Sequence, residues 1–197
     1  MSRMKFEGLL ENEFTLSDKA LRNKNTADSD VIDVPVENLV LDEENVAIFG
    51  DFIQDSIDSL SKDIENDGFK GVILAYPIRK DGDIQLYQIE SGHKRYLAAK
   101  QAGLKRVPVI VTEIPKSDAE RRLRLISMNL HTRETPKPSI LANEAAILLN
   151  SIRELREEEG LSTDMTTLTQ LVAERMERST KAIEKYRQFR KLIPKLQ

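Results

Sequence analysis

The sequence predicts an α+β N-terminal domain, a small mixed sheet with helices, followed by an all-α domain. Three observations carry that expectation. Between residues 31 and 135, short apolar runs of strand length alternate with segments of helical period. From Pro138 onward, apolar residues recur only at helical spacing, which marks 136–197 as the helical domain. Residues 1–30 are polar and charged without sustained periodicity, and are expected to form a flexible arm.

Val31-Ile32-Asp33-Val34-Pro35-Val36 reads as the opening strand. Ile53, Ile57, Leu60 and Ile64 then fall on one helix face, and Gly68 is placed to end that helix in a left-handed cap. Val72 to Tyr76 is a short apolar strand, Lys80-Asp81-Gly82-Asp83 a turn, and Ile84 to Ile89 the returning strand. Ser91-Gly92 leads into a helix from His93 to Ala102, which Gly103 ends. Val107 to Val111 is the next strand. Ser117 and Glu120 have capping-box spacing and open a helix to about Met128. In the helical domain, Ser139 is expected to cap a helix with the stripe Ile140, Leu141, Ala145, Leu148, Ile152 and Leu155, which runs to Gly160. Two shorter helices follow, over Leu168–Met176 and from Ser179 to about Leu192.

Composition narrows the chemistry. The 197 residues contain no cysteine and two histidines, His93 and His131. That excludes disulfides, a thiol nucleophile and a histidine-rich metal centre, while a carboxylate-bound Mg²⁺ stays open. No apolar run approaches the roughly 18 residues of a spanning helix, and the N-terminus lacks the apolar core of a signal peptide, so a cytoplasmic protein with no membrane partner is expected. The net charge of −3 hides an asymmetry. Residues 42–67 carry nine acids and one base, whereas residues 166–197 carry eight bases and three acids. A basic end on an acidic chain suits a polyanion, although a solvated helix face has the same composition.

Two constellations carry chemistry. Glu90-Ser91-Gly92-His93-Lys94-Arg95 lies between a strand and a helix, where free backbone N–H groups and the helix dipole favour an anion. Glycine allows close backbone approach, and Lys94 and Arg95 add positive charge, which suits a phosphate. The spacing is not that of a Walker A loop. The second constellation spans 168–186. Val172, Ala173, Met176, Ile183 and Tyr186 supply an apolar contact between two helices, and Ser179 caps the second. This is the pattern of a helix-turn-helix, with Thr180, Lys181, Glu184, Lys185 and Gln188 facing outward. Glu177 stands where such turns usually have glycine, so a wider or less regular turn is expected.

In this order the two constellations resemble ParB-type chromosome and plasmid partition proteins. Val34-Pro35-Val36-Glu37-Asn38-Leu39 resembles the start of their N-terminal domain, and Ser56-Ile57 to Gly68-Phe69 its first helix and following glycine. Gly92-His93-Lys94-Arg95-Tyr96-Leu97-Ala98-Ala99 resembles the G-E-R-R-x-R-A box, and Lys105 to Val111 the strand after it. Asn129-Leu130-His131 resembles the E-N-L-Q-R box, and 168–192 the family's helix-turn-helix.

The resemblance implies a ParB/sulfiredoxin-like fold over 31–135 and a nucleotide-gated DNA clamp. It implies CTP and Mg²⁺ as cofactors, and double-stranded DNA, a ParA-type ATPase and a second copy of the chain as partners. Gly92 and Arg95 would hold the triphosphate, with Glu90, Ser91, His93 and Lys94 beside them and Asn129 near phosphate and Mg²⁺. The segment Gly68–Pro77 would contribute to the base pocket, although its spacing departs from the family's short G-x-x-Q-P. Ser179, Thr180, Lys181, Lys185 and Gln188 would meet DNA. Met128 replaces the glutamate before Asn129, and a thioether offers Mg²⁺ no oxygen, so any hydrolysis is expected to be slow. Full-length relatives continue into a C-terminal dimerisation domain, so a truncated form or a short member is expected. Two rivals stand beside this. One is a transcriptional regulator without a nucleotide cycle. The other is a small-molecule kinase of the same fold, with Glu90 as base; the sulfiredoxin reaction needs a cysteine that is absent.

Overall fold

The computed structural model describes residues 31–130 and 137–192. The predicted arm over 1–30, His131 and the predicted domain boundary at 135/136 lie outside them. Five strands form one mixed sheet in the order β1-β5-β3-β4-β2. The strands are β1 (Val31–Pro35), β2 (Leu39–Val40), β3 (Ile73–Asp81), β4 (Ile84–Ser91) and β5 (Arg106–Val111). β1 runs antiparallel to β5, β5 parallel to β3, β3 antiparallel to β4, and β4 parallel to β2. The β3–β4 hairpin turns at Gly82-Asp83. Pro77 has no N–H for the ladder, and the β3–β4 register shifts just beyond it.

Besides a short 3₁₀ helix at Val36–Asn38, seven α-helices are described: α1 (Glu43–Phe49), α2 (Gln54–Asp67), α3 (His93–Gln101), α4 (Asp118–Asn129), α5 (Pro138–Glu158), α6 (Met165–Arg175) and α7 (Thr180–Leu192). α2 and α3 cover one sheet face. Ile57 and Ile64 of α2 and Tyr96, Ala98 and Ala99 of α3 pack on Val34, Ile73, Ala75, Ile89, Val107 and Val109. A fully buried isoleucine such as Ile73 or Ile89 contributes about 1.5–3 kcal/mol. A second core joins α5, α6 and α7 through Leu148, Ile152, Leu168, Val172 and Ile183. It also takes in Leu123, Leu125 and Ile126 of α4 and Ile48 and Phe49 of α1, so these helices bind the three C-terminal ones to the sheet.

Several local expectations are corrected. α1 was not foreseen from the sequence. Gly68 does end α2, its N–H donating to Ile64 O at 2.9 Å, but with φ 80 and ψ 172 rather than in a left-handed turn. The Ser117 hydroxyl accepts from Glu120 N as expected, yet the Glu120 carboxylate answers by accepting from Lys116 N at 2.7 Å. α5 has Pro138 in its first turn and Lys137 as N-cap, so Ser139 is not the cap; proline at that position loses no helical hydrogen bond. α6 begins three residues earlier than expected, because Asp164 caps it by accepting from Thr167 N at 2.9 Å.

The turn from α6 to α7 is regular. Glu177 itself takes φ 51, the only non-glycine at positive φ among the described residues. Arg178 N donates to Ala173 O at 2.9 Å and Glu177 N to Glu174 O at 3.2 Å, the two bonds of a Schellman ending.

Candidate nucleotide and DNA sites

The β4–α3 loop stands at the edge where β3 begins, since Leu74 pairs with Ser91. Gly92 is the N-cap of α3, with φ 101 and ψ 18. A Cβ there would lie 3.3 Å from Ile73 Cγ1, so close packing of loop on strand and a left-handed backbone both call for glycine. α3 has no side-chain cap, so its first N–H groups and the positive end of its dipole are presented at the loop.

Arg95 lies one turn into α3 and is half-buried. Its guanidinium packs over the backbone of Gly71, where a Cβ would come within 2.6 Å of Nη1, and reaches back towards Gly92. Burial lowers its pKa from the ordinary value, and desolvation is the whole cause. No carboxylate pairs with it among the described residues. A partly desolvated guanidinium with no counter-ion among the described residues, beside a helix N-terminus, is an arrangement for an oxyanion. Lys94 is exposed beside it. Gly71 was missed from the sequence, where Gly68 carried the expectation. Both glycines end the same polar stretch, and spacing does not say which one meets Arg95.

His93 is not at the surface of this loop. It is 4% exposed, its Nδ1 accepts from Asn45 Nδ2 at 3.3 Å, and Phe52 stacks on the ring with centroids 6.3 Å apart. Its Nε2 has no hydrogen-bond partner among the described residues. Burial depresses its pKa from 6.5 to about 4, and the Asp42 carboxylate offsets this only in part. In the unfolded chain His93 takes up a proton near pH 6.5, and in the fold only near pH 4. Its contribution is therefore fully present above pH 6.5 and is lost as pH falls toward 4. The loss between pH 7.5 and pH 5 is expected to be about 2 kcal/mol. Denaturation of the wild type and His93→Gln across that range checks this. The variant should show a flatter pH dependence, and parallel curves would contradict it.

Glu90 turns away. Ile89 faces the α2–α3 core, whereas Glu90, the extra residue where the β3–β4 register shifts between Leu74 and Ala75, is directed to Thr112 and Arg124. Its Oε2 accepts from Thr112 Oγ1 at 2.6 Å, and Oε1 lies 3.6 Å from Arg124 Nη1. Arg124 also donates to Glu120 Oε1 at 2.5 Å and Glu113 O at 2.8 Å. Pro77, opposite Tyr87, sits three residues beyond Leu74, about 10 Å along β3 from the loop. Asn129 is the last residue of α4 and donates from Nδ2 to Leu125 O at 2.6 Å. Met128 is half-buried.

At the other end, Ser179 caps α7 by accepting from Ala182 N at 3.2 Å. Ile183 is fully buried against α6, whereas Thr180, Lys181, Glu184, Lys185 and Gln188 are all exposed on α7. The acidic stretch 42–67 is partly neutralised by α4. Arg121 pairs with Asp42 at 2.7 Å and with Glu44 at 3.0 Å, and Arg122 pairs with Glu44 at 3.0 Å, which lowers the Glu44 pKa. No described helix is long and apolar enough to cross a membrane.

The model of the ParB N-terminal domain matches residues 21–130. The chromosome-partitioning protein ParB of Myxococcus xanthus is 34% identical over 89 residues, which is 45% of this chain and 28% of that protein. The C-terminally truncated chromosome-partitioning protein ParB of Caulobacter crescentus, complexed to the centromeric parS site, aligns with 79% of this chain and 69% of its own. The TM-score is 0.51 and the identity 22%. The same protein complexed with CTP-gamma-S aligns over 78% and 74%, with TM-score 0.45 and 23% identity. A Pnob8-like ParB-N domain aligns over 80% and 69%, with TM-score 0.57 and 14% identity. At such identities the likeness to the parS complex and to the Pnob8-like domain is one of fold.

Proposed function

The chain belongs to the ParB N-terminal domain family, and from that premise we propose that it is a partition protein that binds CTP at the Gly92–Arg95 loop and DNA through α6 and α7. One observation carries the nucleotide half. Arg95 is a half-buried guanidinium with no carboxylate partner among the described residues, packed over Gly71 beside the open N-terminus of α3. The loop N–H groups and Arg95 suit the phosphates, with Lys94 as an outer cation. Among the described residues there is no cluster of acidic or histidine side chains fit to hold a metal by itself. Mg²⁺ would accordingly be held mainly by phosphate oxygens and water, with Asn129 Oδ1 as the side-chain oxygen the family resemblance points to. When bound, the ion offsets the negative charge of the phosphates.

On the DNA side, α6, the Glu177 turn and α7 serve as a helix-turn-helix, with the exposed face of α7 entering the major groove. Nucleotide occupancy gates a clamp of two copies on a centromere-like site, a ParA-type ATPase acts on the complex, and the protein resides on the nucleoid or a plasmid. The engagement of Glu90 with Thr112 and Arg124 speaks against its use as a kinase base.

Calorimetric titration with CTP, ATP and GTP, with and without duplex DNA carrying a parS-type site, tests this proposal. CTP binding that strengthens with cognate DNA is expected. DNA binding indifferent to every nucleotide would point instead to a plain transcriptional regulator. Lys181→Ala and Lys185→Ala should each weaken DNA binding and leave CTP affinity unchanged. If each removes one phosphate contact, each flattens the slope of log affinity against log salt by about one unit. A salt titration reads this, and DNA affinity untouched by both changes would remove the helix-turn-helix assignment.

A further inference from the structure

We infer that Asn45 is a positioning residue for the Gly92–Arg95 loop: its side-chain amide on α1 holds the ring of His93, the first residue of α3. This rests on the nucleotide-binding role proposed above. Asn45 is 4% exposed, and its Nδ2 donates to His93 Nδ1 at 3.3 Å across 48 positions of sequence. A donor at Nδ1 makes that nitrogen the acceptor, so the ring carries its proton on Nε2. Phe52 holds the face of the same ring.

The physical need for such an anchor lies in Gly92. A glycine at φ 101 immediately before α3 is a soft joint, and the directions of the first N–H groups of the helix depend on how the next residue is held. His93 is that next residue. Asn45 is itself firmly mounted. Asp42 caps α1 by accepting from Glu44 N at 2.9 Å, and its second oxygen pairs with Arg121 of α4. At the far end, Asn143 of α5 donates to Ala47 O at 3.2 Å and Ile48 O at 3.3 Å. A helix tied at both ends offers the amide at a fixed place.

The partner's chemistry also matters. A neutral amide donor at Nδ1 gives no advantage to an imidazolium. The charged group that acts on His93 is Asp42 from α1, itself paired with Arg121, while Lys94 and Arg95 follow it along α3. Asn45→Asp keeps the shape but replaces the donor with an acceptor, which requires a proton on Nδ1 and favours the charged ring.

The test uses the full chain as wild type, Asn45→Ala, Asn45→Asp and Arg95→Ala. Long-range proton–nitrogen NMR reads the tautomer and titration of His93, and calorimetry measures CTP with Mg²⁺ from pH 5.5 to 8. The wild type should show the Nε2-protonated ring and an affinity flat across that range. Asn45→Ala should mix the tautomers, shift the Lys94 and Arg95 backbone amides even without nucleotide, and lower CTP affinity about 10-fold, the upper end for one lost hydrogen bond. Asn45→Asp should move the proton to Nδ1 and make CTP affinity depend on pH. Should Asn45→Ala fail to fold, the isosteric aspartate variant decides. Retention of the Nε2 tautomer, the loop amide shifts and the wild-type affinity in these variants would overturn the role of Asn45. With Arg95→Ala losing CTP, that outcome spares the nucleotide site. CTP affinity unmoved by Arg95→Ala would instead remove the site, while the tautomer and amide shifts would still judge the Asn45 anchor.

Discussion

Arg95→Ala is expected to weaken CTP binding by about 10- to 150-fold without disturbing the fold. A hydrogen bond to a charged group contributes about 1.5–3 kcal/mol, which sets that range. The fold should survive because Arg95 has no ion-pair partner among the described residues, so truncation leaves no buried carboxylate stranded. Gly71→Ala should reach the same result from the other side. Its Cβ would stand 2.6 Å from Arg95 Nη1, and its φ of 87 strains any L side chain. The guanidinium must then leave its seat although its own residue is unchanged. Calorimetry with CTP and Mg²⁺ on both variants, alongside thermal melts, separates lost binding from lost structure. Unchanged affinity in a folded Arg95→Ala protein would contradict the site.

Arg124→Ala should act on stability instead, by about 3–5 kcal/mol, the usual consequence of removing one partner from a buried ion pair. Arg124 is 8% exposed, and the two carboxylates it faces, Glu90 and Glu120, are each 3% exposed. Without the guanidinium both would remain in the interior with less compensation. Adding Glu90→Gln should recover part of the loss, since one of the two acids becomes neutral. Chemical denaturation of the single and double variants measures this. CTP affinity of Glu90→Gln should match the wild type, because Glu90 faces Thr112 and Arg124 rather than the loop. An Arg124→Ala protein of wild-type stability would show that the network contributes little.

Much of the architecture follows from local pattern. The Ile53, Ile57, Leu60 and Ile64 spacing defines the inward face of α2, and strand-length apolar runs mark β1, β3, β4 and β5. The place of Gly92 between strand and helix, and the burial of Ile183 beneath an exposed Lys181–Lys185 face, were also legible. These features depend on residues within a turn or two of each other, and periodicity reports such neighbours directly.

Other features were decided only when distant segments met. α1 has seven residues, too few to display a period or to be stable alone. It exists because Asp42 caps it, Arg121 and Arg122 pair with its acids, and Ile48 and Phe49 enter the second core. The identity of the glycine under Arg95, Gly71 rather than Gly68, is a matter of chain path between α2 and β3. Glu90 and His93 are both in the loop segment, yet one is directed to Arg124 from a register shift in the β3–β4 ladder while helix α1 encloses the other. Sequence alone determined that a strand–glycine–basic helix start and a basic two-helix unit are present. Tertiary structure decided which side chains gather at the Gly92–Arg95 loop proposed to bind the nucleotide, because contacts between residues 45 and 93, 71 and 95, and 90 and 124 depend on packing, which no local periodicity encodes.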